Sequence, residues 1–241
     1  MGTTLALLCT LLPADAAPVA TARPGVVFVI GGIGGLDPLN FWVPLTLPRA
    51  GVPHEVRNFP WTHGKGRILR DLQDLRHLLG KGAELADAVR AVKAAEPDRP
   101  VYLLAHSAGT AVALAAAEQL PPGTLERIVL LSAAVSPDYD LRPALRATRG
   151  ELVTFCSPWD LFFLSWGTSQ FGTADRYYGA SAGLKGFRFP PDLDEEGQRL
   201  YGRVVQLQWR PEQMLEFCGG LHHSPCMPHY LSSRIAPWLK P

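Results

Sequence analysis

The apolar positions of the chain fall into short blocks that alternate in period. Gly25 to Ile30 is a continuous, mostly β-branched run, the pattern of a strand buried on both faces. It ends abruptly in Gly31-Gly32-Ile33-Gly34-Gly35. His54 to Phe59 alternates more weakly and reads as a second strand. From Arg67 to about Glu96 the spacing turns helical, through Ile68, Leu69, Leu72, Leu75, Leu78 and Leu79 and then Leu85, Ala88, Val89 and Val92. Gly80 and Gly82 are expected to split or bend this stretch, and Pro97 and Pro100 to close it. Val101 to Ala105 is the next buried strand. An Ala-rich helix follows at once, from Ala108 to about Leu120, stopped by Pro121-Pro122. Arg127 to Ser132 and Glu151 to Cys156 read as further strands, with a short helix at Leu141 to Thr148 between them. Residues 161 to about 200 are aromatic- and glycine-rich without a clear period. Val204 to Trp209 reads as the last strand and Met227 to Leu239 as a closing helix.

This alternation predicts an α/β protein with a mostly parallel central sheet flanked by helices on both faces. The link between Ser132 and the strand at 151 is too short for a large cap domain. A length of 241 residues suits one domain with one core, placed at 25–241. A Pro/Ala-rich linker, 17–24, precedes it. In residues 1–16, Leu5 to Leu12 is a short apolar run broken by Pro13 and followed by Ala14-Asp15-Ala16. That reads as a signal peptide cut after Ala16, which implies export. Met1 to Thr4 carry no Lys or Arg, so the alternative is an uncleaved N-terminus on a cytoplasmic protein.

Composition narrows the function classes. With 47% hydrophobic and 19% charged residues the chain is not of the disordered type. A net charge of +1, with no basic run, gives no electrostatic footprint for nucleic acid or for a polybasic membrane contact. No stretch approaches the ~20 apolar residues of a membrane span. Of the four cysteines, three remain if Cys9 leaves with the signal. Cys218 and Cys226 bracket a histidine pair and are close enough in sequence for a disulfide in an oxidising compartment, although three reduced, partly buried thiols fit better. Their spacing matches no common zinc site.

Ala105-His106-Ser107-Ala108-Gly109 sits between a clear strand and a clear helix, the context of a nucleophile elbow. A sharp strand-to-helix turn strains the serine backbone and projects its hydroxyl above the sheet. The positions two before and two after it must be small, and here they are Ala105 and Gly109. The helix N-terminus aims N–H groups at the reacting oxygen, with that of Ala108 as one oxyanion donor. The competing readings are a tight turn in which Ser107 only caps the helix, or a dinucleotide turn, for which the glycines are wrong.

On these residues the chain resembles the α/β-hydrolase superfamily over most of its length after the linker, and among its members the compact bacterial esterase- or lipase-like serine hydrolases. The family order is a glycine-bearing loop after an early strand, the elbow, an acid and a histidine. Gly31 to Gly35 resembles the family's His-Gly-x-Gly-Gly loop, with Gly31 in place of the histidine and Ile33 on the second oxyanion donor. The rival reading, a phosphate-binding loop, lacks a following Lys-Ser/Thr. Asp160, after the strand that ends at Cys156, is the expected acid. Asp138, Asp140 and Asp175 are its alternatives. The base is expected in Gly219-Gly220-Leu221-His222-His223-Ser224. His222 is preferred, with His223 as the alternate base and His229 a distant third; Leu221 intrudes between the glycines and His222. His106 is read as a packing or hydrogen-bonding residue facing away from the base, and His54 and His63 are unassigned.

The resemblance implies a serine hydrolase acting on a small-molecule or lipid-like carboxylic ester through an acyl-enzyme, with no metal and no organic cofactor. An acyltransferase with the same triad and a non-catalytic binding protein of the same fold are the other readings. Phe162, Phe163, Trp166, Phe171, Tyr177 and Tyr178 are expected to form either a small lid or acyl pocket over the site, or ordinary core.

Overall fold

The computed structural model describes residues 23–240 apart from residue 217, so the expected signal peptide, Cys9 and most of the linker lie outside the described residues. Among the described residues six strands form one parallel sheet: β1 (Val26–Ile30), β2 (Glu55–Asn58), β3 (Val101–His106), β4 (Arg127–Leu131), β5 (Leu152–Cys156) and β6 (Val204–Gln208), in the order β2-β1-β3-β4-β5-β6. The central strands are buried along their whole length because helices cover both faces. β2, at one edge, is short and part-exposed, and Glu55 and Arg57 pair along it. Charge on a short edge strand discourages further pairing.

Alternate residues of each strand feed two separate cores. Val26, Phe28 and Ile30, with Leu103 and Ala105, pack against α3 (Leu75–Ala95) and α4 (Gly109–Ala117). Val27 and Val29, with Tyr102 and Leu104, pack against α1 (Pro38–Thr46) and the C-terminal segment from Tyr230 to Leu239. Each fully buried Val or Leu contributes about 1.5–3 kcal/mol relative to an exposed one.

Several expected boundaries move, for identifiable reasons. α1 had no counterpart in the sequence reading. Asp37 caps it by accepting the Leu39 N–H (2.8 Å), and Pro38 opens it. Its internal Pro44 has no N–H to give to the Asn40 carbonyl, and Asn58 Nδ2 takes that place at 2.8 Å. The long helical stretch breaks at Asp74, not at its glycines: α2 (Ile68–Gln73) stops, Asp74 turns out of the helical region, and its carboxylate caps α3 at the His77 N–H (2.9 Å). α3 then runs unbroken through Gly80 and Gly82. The closing helix changes pitch twice, from an α turn at Pro228–Tyr230 to a π turn at Leu231–Ile235 and a 3-10 turn at Ala236–Leu239. Pro237 cannot continue the α ladder there. No helix among the described residues is long and apolar enough to cross a membrane.

The two glycines of α3 differ in kind. A Cβ at Gly82 would lie 2.8 Å from the Cβ of Ala115 on α4, whereas one at Gly80 meets nothing within 4 Å. Gly80→Ala is therefore expected to raise unfolding stability by about 0.5–1 kcal/mol. Gly82→Leu is expected to lower it by about 1–3 kcal/mol, as overpacking does. Urea unfolding of both variants checks this, and equal midpoints would refute the close α3–α4 contact.

Candidate active site

β1 and β3 are neighbours whose onward connections leave in opposite directions, β1 toward β2 and β3 toward β4. A switch point of this kind leaves a crevice at the C-terminal ends of the strands. The glycine loop leaves β1 there and Ser107 leaves β3. Ser107 has φ 53°, left-handed backbone that a non-glycine residue rarely adopts. Such strain costs about 1–3 kcal/mol and persists only where the surroundings over-determine it. Here the Ser107 N–H donates to Leu131 O (3.0 Å), and its carbonyl accepts from Thr110 N (3.1 Å), Thr110 Oγ1 (2.5 Å) and Ala134 N (3.3 Å). The obstacles nearest to a Cβ at Gly109 are the carbonyl oxygens of Gly31 (2.3 Å) and Ile30 (2.6 Å). Glycine is thus required at 109 by the approach of the β1 loop. That is a contact across the sheet, where the sequence reading looked to crowding within the turn.

The loop itself sits against the serine, since a Cβ at Gly32 would lie 3.1 Å from Ser107 Cβ. Gly32 N–H donates to Asp37 Oδ2 (2.7 Å) and Gly34 N–H to Asp71 Oδ2 (2.8 Å). Among the described residues, neither the Ile33 N–H nor the Ala108 N–H finds an acceptor.

His222 Nε2 lies 2.9 Å from Ser107 Oγ, and His222 Nδ1 lies 2.5 Å from Asp160 Oδ2. The three residues are 115 and 62 positions apart in sequence and all are buried, with Asp160 2% and His222 6% exposed. A carboxylate accepts only, so Nδ1 carries the proton and Nε2 is free to accept from the serine hydroxyl. Burial depresses the His222 pKa, against the Asp160 bond and with help from positive charge on His106. The imidazole therefore rests in its neutral, basic form. His223 is half-buried and turns its ring edge to His222 at 5.0 Å. Burial, with the neighbouring His106 and His222, pulls its pKa down to about 4. His229 is exposed on the closing segment. Asp138 and Asp140 pair with Arg188 and Arg142 at the surface, and Asp175 accepts the Ser136 N–H (3.0 Å), so none of the three meets His222.

The sequence reading turned His106 away from the base; the structure places it fully buried beside it. Its Nδ1 is 2.6 Å from Asp37 Oδ2 and its Nε2 is 3.0 Å from the carbonyl of His222, which also accepts from Ser132 Oγ (3.2 Å). Both partners are acceptors, so the ring must donate from both nitrogens and is an imidazolium. Burial opposes that charge, but the Asp37 carboxylate and its hydrogen bond outweigh it and lift the His106 pKa well above its ordinary value. Burial likewise works against the Asp37 charge, and the bonds from His106, Leu39 and Gly32 override it and hold the carboxyl far below the usual range. Truncating one member of such a buried pair costs about 3–5 kcal/mol. Asp37, His106 and Cys226 offer ligand atoms within 4.8 Å of one another, but the Asp37 and His106 atoms already share a proton-filled bond. Asp37 went unassigned in the sequence reading; its one local signal was the Asp-Pro step that starts α1.

A cavity of about 480 Å³ opens on the His222 side, lined by Trp159, Asp160, Phe163, Leu221, His222, His223, Ser224 and Met227. Phe163 stacks on the His222 ring with centroids 4.6 Å apart. From the same segment Leu164 is buried with Leu184 and Ala134, so the aromatic-rich stretch serves both as a wall of the site and as a small satellite core. Cys156, Cys218 and Cys226 are buried thiols.

The family of serine aminopeptidases, S33, matches residues 80–170, a span that holds Ser107 and Asp160 and stops before His222. No curated protein has a matching sequence. Among solved structures, a predicted CIB-like hydrolase from Thermoplasma acidophilum is 12% identical with a TM-score of 0.51, covering 92% of this chain and 88% of its own. TT1662 from Thermus thermophilus is 15% identical with a TM-score of 0.52, covering 91% of each chain. At such identities the likeness is one of fold. With the parallel sheet and its helices on both faces, it gives the chain the α/β-hydrolase fold.

Proposed function

We propose that this protein hydrolyses carboxylic esters through an acyl-enzyme on Ser107. The observation that carries the reading is the unbroken line of hydrogen bonds from Ser107 Oγ through His222 to Asp160, at a serine held in left-handed backbone. His222 Nε2 takes the hydroxyl proton as Ser107 Oγ attacks the ester carbonyl. The oxyanion that forms accepts from the Ile33 and Ala108 N–H groups, which have no other acceptor among the described residues. His222 passes its proton to the departing alkoxide. A water then gives a proton to His222 and attacks the acyl carbon; as the acyl–Oγ bond breaks, His222 returns that proton to Ser107 Oγ and the carboxylic acid leaves. Asp160 holds the ring in register and stabilises the imidazolium at each turn.

The cavity supports this substrate class. Its walls include Trp159, Phe163, Leu221 and Met227, which suit an apolar acyl group. The one carboxylate in its lining, Asp160, is already engaged by His222, so the described lining offers no anchor for the ammonium group of a peptide. This favours an ester over an aminopeptidase substrate.

Three outcomes test the reading. Wild-type protein reacts covalently with a fluorophosphonate and hydrolyses p-nitrophenyl esters, and Ser107→Ala does neither, with kcat lower by about 10⁴-fold or more; equal labelling of the two would end it. The acid limb of kcat/KM lies below pH 6.5, because the base is active only when neutral and its pKa is depressed. His106→Gln removes a cation that favours the neutral ring, so the limb moves to higher pH; a limb that stays put would separate the His106 charge from the base. Phe163→Ala raises KM for acyl chains of six or more carbons relative to acetate, and an unchanged ratio in the folded variant would remove Phe163 from the acyl site.

A further inference from the structure

We propose that Asp37 and Asp71 are positioning residues that clamp the glycine loop from its two sides, so that the one N–H left between their bonds, that of Ile33, faces the reaction. The proposal rests on the oxyanion role given to Ile33 above.

Four of the five residues from 31 to 35 are glycine, so the loop has almost no side chains with which to pack itself. Gly34 (φ 79°) and Gly35 (φ 65°) also occupy left-handed backbone. Glycine loses more freedom on ordering than any other residue, so a loop of this composition needs anchors from outside. The anchors are two buried carboxylates. Asp37 is 7% exposed and holds the Gly32 N–H at 2.7 Å; Asp71 is 3% exposed and holds the Gly34 N–H at 2.8 Å. Between two fixed N–H groups, the intervening peptide has little room to rotate.

Each carboxylate is itself fixed by a histidine. Asp37 Oδ2 meets His106 Nδ1 at 2.6 Å, and Asp71 Oδ1 meets His63 Nδ1 at 2.9 Å and also accepts the His63 N–H at 2.8 Å. His63 stacks on His77 at 3.8 Å, and His77 Nε2 reaches the Trp61 carbonyl at 2.5 Å. From that same turn Trp61 Nε1 donates to Gly31 O at 2.7 Å. The segment 61–77 is thus a brace along the outer side of the loop, while Asp37 and His106 join its inner side to the elbow. Asp71 is 37 residues from Gly34 and belongs to α2, an element that touches none of Ser107, His222 or Asp160 in the bonds described.

The test compares wild type, Asp71→Ala and Asp71→Asn. Thermal melting confirms folding; kcat and KM are measured with a p-nitrophenyl ester, and the second-order rate of fluorophosphonate labelling of Ser107 is followed. Phosphonylation places the phosphoryl oxygen, which carries negative charge in the transition state, at the oxyanion position. Losing alignment of one oxyanion donor is expected to lower kcat and the labelling rate of Asp71→Ala together, by about 10- to 10³-fold. KM should change less than about threefold, since the clamp acts on the transition state. Asp71→Asn keeps one acceptor oxygen for the Gly34 N–H and should recover part of both rates. Were Asp71→Ala too unstable to isolate, Asp71→Leu, which also lacks an acceptor for the Gly34 N–H, takes its place: a fall in kcat at constant KM supports the clamp, and wild-type kinetics overturn it. Folded Asp71→Ala with wild-type kcat and labelling overturns the clamp while leaving the serine hydrolase reading intact. A wild-type protein that is never labelled overturns both.

Discussion

The first turn of α4 approaches the end of β1 so closely that only a hydrogen fits at position 109, where a Cβ would stand 2.3 Å from the Gly31 carbonyl. The rest of the site depends on this contact. It brings the loop after β1 over the turn after β3, and so sets where the N–H groups of Ile33 and Ala108 lie relative to Ser107 Oγ. It is available because β1 and β3 are sheet neighbours that hand the chain off in opposite directions. The strained Ser107 backbone is then a consequence: four hydrogen bonds to Leu131, Thr110 and Ala134 leave it no other conformation.

Around this contact the electrostatics are arranged by burial. An isolated ion in the interior costs several kcal/mol, and Asp37 and His106 offset that with each other and with backbone partners. Asp37 accepts from Gly32, Leu39 and His106; His106 donates to Asp37 and to the His222 carbonyl. One buried pair therefore ties the glycine loop, the start of α1, the elbow and the histidine loop together. Its positive end stands beside His222 and helps to keep that ring uncharged, the form in which it accepts a proton.

Much of this was legible in the sequence, and the parts that were share a property. The strands at β1, β3, β4 and β5 are unbroken apolar runs, and their burial on both faces follows from local composition. The elbow was legible because Ser107 stands between a strand and an Ala-rich helix, and Asp160 because it follows the turn after β5. Two of the elements the sequence does not reveal are ones in which a distant group supplies what the local sequence lacks. Pro44 argues against a helix at α1 until Asn58 is seen to satisfy the Asn40 carbonyl. Gly82 argues for a break in α3 until Ala115 is seen packed against it.

The chain's periodicity therefore determined an α/β sheet and the order of its strands along the sequence, and the resemblance to α/β-hydrolases picked out a serine, an acid and a histidine loop lying beyond strand ends. These are properties of neighbours within a few residues, where steric preference and hydrophobic spacing act. Which of His222 and His223 faces Ser107, what His106 does, and why Asp37 and Asp71 are present were decided only by tertiary structure. Asp37 reaches Gly32 and Leu39 locally, but the bonds from Asp71 to Gly34, from Asp37 to His106, and from His106 and Ser107 to the histidine loop join residues 37 to 116 positions apart, and no local pattern encodes the partner at the other end.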